Sequence, residues 1–156
     1  MNEPVTPARP GAHPDAPNPG TRHPLVLAAL VLALLVVIGA FLPWASVLDI
    51  VDKNGIEGDG VLTLILAILG AGALLLGRGR LWGLITMLIA AALITLIGFV
   101  DLADVGRVAD QLGVVETGSG LWLTALAGVA WTGVSLTLLA VRSRIWGPRG
   151  APPSQG

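Results

Sequence analysis

The chain has 156 residues, of which 54% are hydrophobic and only 12% charged, with a net charge of −1. A soluble domain carries about 25% charged residues, so this composition excludes an ordinary water-soluble core. The balance of charge supplies no basic field for nucleic acid. Absent cysteine removes disulfides, thiolate chemistry and Cys-ligated metals.

The N-terminal segment 1–24 is rich in Pro, Ala, Gly and Asn, and too poor in apolar surface to fold. It reads as a disordered cytoplasmic tail. Its two histidines, His13 and His23, each precede a proline, and Asp15 is the only further ligand nearby. That is too few for a metal site. The tail is also too long, and the apolar run behind it too long, for a cleaved signal peptide.

Four apolar runs follow, at 25–42, 61–77, 81–100 and 121–141, and none contains Asp, Glu, Lys, Arg or His. A helix needs about 20 apolar residues to cross a ~30 Å hydrocarbon core. The predicted fold class is therefore an all-α membrane protein, a bundle of four transmembrane helices filling residues 25–146. Residues 147–156, rich in Pro and Gly, read as a flexible C-tail.

Pro43 follows run one and marks its exit. The loop after it contains β-branched residues leading into Asn54-Gly55, a hairpin signal that predicts a small outer β-ribbon. Asp59 stands before run two, where its carboxylate can cap the helix. An ion site at the helix mouth is the other reading, and the carboxylate disfavours an anion there. After run three, Leu102, Val105, Val108 and Leu112 recur at helical spacing. They predict a separate short amphipathic helix, N-capped by Asp101 and stopped at Gly113. Val114-Val115-Glu116 could add a strand to the ribbon, and Ser119 should cap run four.

Orientation follows from Lys and Arg near the helix ends. Arg22, Arg78, Arg80, Arg142 and Arg144 fall on one side, and Lys53 and Arg107 on the other. Both termini are expected to be cytoplasmic in a cell-membrane protein, with two acidic loops outside. Trp44, Trp82, Trp122 and Trp146 lie near helix ends as expected interface anchors, whereas Trp131 is mid-helix and should pack against a neighbour.

Gly58-Asp59-Gly60 and Gly118-Ser119-Gly120 precede runs two and four, and the pairs Arg78/Arg80 and Arg142/Arg144 follow them. This internal repeat predicts two tandem helical hairpins of the same orientation. Small residues in helices two and four, among them Gly70, Gly77, Gly128 and Gly133, should carry close helix packing. Those two helices read as the interior pair or an oligomer face. The aliphatic first helix, Ala33 included, reads as largely lipid-facing.

Gly39-Ala40-Phe41-Leu42-Pro43-Trp44, followed by Gly55-Ile56-Glu57-Gly58-Asp59-Gly60-Val61-Leu62-Thr63-Leu64, resembles small uncharacterised four-helix integral membrane proteins of high-GC Gram-positive bacteria. The resemblance implies location and topology and carries no activity. Claudins also have four helices, but their Gly-Leu-Trp and cysteine pair lie in the first outer loop; here Gly120-Leu121-Trp122 follows the third connection and cysteine is absent.

No catalytic, cofactor or metal motif is present, so an enzyme is not expected. The expected role is a structural or accessory assembly component acting through helix packing. An oligomeric transport or channel component is the alternative, motivated by the repeat. The expected partners are the lipid bilayer and either a second copy or a larger membrane protein.

Overall fold

In a computed structural model the chain is described over residues 23–47, 51–112 and 115–146. The two terminal tails lie outside the described residues, apart from His23 and Pro24, as do Gly113 and Val114. Four long helices form an all-α bundle: α1 (Pro24–Phe41), α2 (Gly60–Gly77), α3 (Leu81–Leu112) and α4 (Ser119–Trp146). Each is long and apolar enough to cross a membrane. Sequential helices run antiparallel, and α1 closes the ring against α4. A large side chain bridges the diagonal pair α2 and α4. Trp131 of α4 is fully buried at the centre, with its ring against Gly70 of α2. Leu84, Met87, Ala91 and Ile94 of α3 complete the apolar interior with Val26, Ala29, Ala33 and Val36 of α1.

Helix one leaves most of its surface outside the bundle, as expected, but Ala33 is buried. Its buried stripe Val26, Ala29, Ala33, Val36, Gly39 and Ala40 recurs at three- and four-residue spacing and faces the core. The uniformly aliphatic sequence hides this stripe, because lipid-facing and core-facing positions are equally apolar. The residues that betray it are small ones, Ala29, Ala33 and Gly39. At Gly39 and Gly120 the backbones of α1 and α4 nearly touch: a Cβ on Gly120 would lie 2.7 Å from the Gly39 carbonyl.

The amphipathic segment beyond run three is not a separate helix. It continues α3 without a break to Leu112, for 32 residues in all. At 1.5 Å per residue that is about 48 Å, well beyond a ~30 Å hydrocarbon core. No proline interrupts 100–112, and one glycine, Gly106, costs too little to stop a helix. Arg107 and Asp104 add an i, i+3 ion pair at 3.0 Å on the exposed face.

A three-stranded antiparallel sheet, in the order β2-β1-β3, joins the connections at this end of the bundle. Its strands are β1 (Pro43–Val47), β2 (Val51–Asn54) and β3 (Val115–Thr117). The pairing Val47↔Val51 and Pro43↔Asn54 places the hairpin connection between 47 and 51. Asn54-Gly55 is thus not the turn. It ends β2 and leads into a 3₁₀ turn at Gly55–Glu57, whose glycine backs onto the Trp44 ring.

Candidate functional site

The two ends of the bundle carry opposite charge, and each holds a pocket. At the sheet end, Trp44 is almost wholly buried and donates its indole N–H to the Gly39 carbonyl at 2.9 Å. It ties the end of α1 to the 3₁₀ turn and is a structural pin, not an interface anchor. Its indole N–H finds a partner at the helix end that Pro43 interrupts. Beside it lies a pocket of about 230 Å³ lined by Asp59, Asp101 and Asp104, with Ala45, Gly55, Gly58 and Val105.

None of the three residues expected as caps makes a cap bond among the described residues. Asp59 occupies the N-cap position of α2, but at φ −69°, ψ −7° its backbone is already helical, and its side chain makes no cap bond. Side-chain capping favours an extended N-cap residue. Asp101 lies inside α3, where the preceding helical turn already occupies its backbone N–H. Ser119 is the first residue of α4, and the Gly118 N–H before it bonds the Trp44 carbonyl at 2.8 Å. The cap that sequence reasoning missed is His23, whose Nδ1 accepts the Leu25 N–H at 3.3 Å with Pro24 next in the chain.

One oxygen of Asp101, Oδ2, is buried without a partner. Burial, then the neighbouring carboxylates of Asp59 and Asp104 and a hydrogen bond with Asp59, push its carboxyl up from 3.8 to about 6. Desolvation and like charge act in the same direction. Among the described residues no cluster of His, Cys, Asp and Glu has the arrangement of a metal site.

At the opposite end a cavity of about 530 Å³ opens between the α2–α3 turn and the last turns of α4. It is lined by Arg78, Gly79, Arg80, Leu81, Leu139, Ala140, Arg142, Ser143 and Trp146. Helix α4 runs past the apolar limit at Val141 to Trp146, and its last turn folds over the turn between α2 and α3. Gly79, at φ +78°, lies under the Trp146 indole, and any side chain there would enter the ring. Arg142 Nε donates to the Gly79 carbonyl at 3.0 Å. The Trp146 indole nitrogen is buried and unpartnered. Trp146 is therefore half-buried scaffold, whereas Trp82 and Trp122 are 51% and 52% exposed at opposite ends.

Of the four expected packing glycines, three lie at close approaches. A Cβ on Gly70 would lie 3.0 Å from Ala90 and from Trp131, on Gly77 3.0 Å from Gly83, and on Gly128 3.0 Å from Thr95. Near Gly128 the hydroxyls of Thr95 and Thr132 stand 3.2 Å apart, a polar link between α3 and α4. A Cβ on Gly133 would meet nothing within 4 Å, and the residue faces outward on α4. Helical phase explains it: five residues, about 500°, separate it from Gly128 and turn it to another face.

Compared with known proteins, the chain matches no family model, no curated sequence and no solved structure.

Proposed function

We propose that the chain is a multi-pass cell-membrane protein that works as a structural or accessory assembly component through its helix faces. The supporting observation is a filled bundle interior. Trp131, Met87, Leu84, Ile94 and Leu138 are fully or almost fully buried there, and the four apolar runs bring no ionisable group to it. Membrane-depth ionisable residues mark most ion and proton pathways. A filled interior of this kind supports an assembly role over transport by a single copy. Outside, α4 presents Gly133, Ala130 and exposed Thr137, whose hydroxyl bonds back to the Gly133 carbonyl at 2.9 Å. Small residues of this kind let another helix approach. The repeat supports a tandem-hairpin reading of the same bundle: Thr63 and Thr124, near the starts of α2 and α4, are both fully buried.

Native mass spectrometry of the full chain in mild detergent tests the proposal. The expected species is larger than one chain, or one chain with a membrane partner. Gly133→Leu should disperse it while leaving helicity intact. Gly128→Leu should instead lower thermal stability, because bulk there drives α3 from α4. A chain that remains monomeric and partnerless at all concentrations overturns the proposal. A homo-oligomer that conducts ions in planar bilayers replaces it with the transport alternative.

A further inference from the structure

We propose that the cavity at the arginine end binds a phosphate group, carried by the headgroup of an anionic phospholipid. The inference rests on the membrane reading above, and goes beyond it by assigning a ligand and its seat.

Arg78, Arg80 and Arg142 converge on one cavity that no carboxylate among the described residues lines. The carboxylates described in the structure, from Asp59 to Glu116, gather at the other end of the bundle. Guanidinium groups are common partners of phosphate, which they meet with paired N–H donors. Arg142 is held by its Nε bond to Gly79, which fixes the fork and leaves its terminal nitrogens with no bond among the described residues. The Trp146 ring forms part of the cavity wall, and Ser143 supplies a hydroxyl.

The backbone points the same way. Arg78 ends α2 in the left-handed region, at φ 44°, ψ 43°. That position is ordinarily glycine, since a side chain there costs about 1–2 kcal/mol. Glycine stands at the very next position. Arginine stands where backbone geometry favours glycine, and it lines the cavity there.

The apolar part of the wall selects a lipid over a free ion. Leu81, Leu139 and Ala140 line the cavity just inside the limit of the apolar runs, and Leu81 is also half exposed on the outer surface of α3. A headgroup between the arginines would leave its acyl chains against this outer apolar surface. Basic pockets between helix ends on the cytoplasmic side suit such headgroups.

The test uses the full chain in neutral detergent, with native mass spectrometry counting lipid adducts per chain, so that the reading is independent of assembly. Phosphatidylglycerol should bind in preference to phosphatidylcholine. Arg80→Gln should weaken that binding on the order of five- to tenfold. Arg80 is exposed with no side-chain bond among the described residues, so this variant should fold normally; Arg142→Gln should weaken binding further. Arg144→Gln is the control, because it removes the same charge from the same end but does not line the cavity. It should leave the adduct unchanged. An equal loss in Arg144→Gln means diffuse surface charge and overturns the proposal. So does an adduct that phosphatidylcholine forms equally well. Displacement of the lipid by millimolar inorganic phosphate would assign the cavity to a free anion and overturn the lipid source.

Discussion

Asp101 shows how one side chain links sequence, helix and pH. Its carboxyl rises to about 6 because burial and the charges of Asp59 and Asp104 oppose ionisation; Arg107, the cation nearest in sequence, is paired with Asp104. A carboxyl raised in the folded state favours folding when protonated. Its contribution is whole below the ordinary value near 3.8 and is lost as pH rises through about 6. Thermal melting in detergent should therefore fall between pH 4 and pH 7. Asp101→Asn, a permanent analogue of the protonated acid, should remove most of that fall and melt higher at pH 7. If Asp101→Asn and the parent chain show the same pH profile, the carboxylate is solvated and the cluster exerts no strain. The sequence presents Asp101 as a plausible cap because its spacing from Asp104 is right. Spacing cannot reveal that a helix already precedes it, or that Asp59 sits across the pocket.

At the scale of elements, long apolar runs made all four helices legible, and most of their ends fall close to the charged and Gly/Pro punctuation. What the sequence hides is which residues of an aliphatic helix face inward, and where a helix stops when no breaker is present. The uninterrupted α3 gives a direct test. Were Asp101 the N-cap of a separate helix, Ala103 would lie in its first turn, where proline is tolerated. Inside a continuous helix, proline removes a backbone hydrogen bond and clashes with the preceding turn, at a cost of about 3 kcal/mol or more. Ala103 is exposed, so the substitution loses little packing. Ala103→Pro should sharply lower the melting temperature. Gly106→Ala should raise it, because a Cβ there meets nothing within 4 Å and alanine favours the helix by about 0.5–1 kcal/mol. A neutral Ala103→Pro would mean that α3 breaks at Asp101 in solution.

For the whole molecule, charge separation along the bundle axis is the dominant feature. Arg78, Arg80, Arg142 and Arg144 cluster at one end, while Asp59, Asp101, Asp104, Asp110 and Glu116 lie at the other. The two ends are set by an even number of helices, so the start of α1 and the end of α4 share the arginine end. Lys and Arg near helix ends are retained on the cytoplasmic side. Both termini should therefore be cytoplasmic, and the sheet with the α3 extension should lie outside. The chain has no cysteine, so single-cysteine variants label without background. Cysteine at Lys53, in β2, or at Gln111, near the end of α3, should react with an impermeant maleimide in intact cells. Cysteine at Ser143, exposed at the arginine end, should react only after permeabilisation. Gln111 is the sharper probe, because α3 carries it beyond the apolar span and away from any shielding by lipid. The reverse pattern at Gln111 and Ser143 would invert the topology. It would also move the arginine cavity to the outer leaflet, where the lipid proposed for it would have to be found.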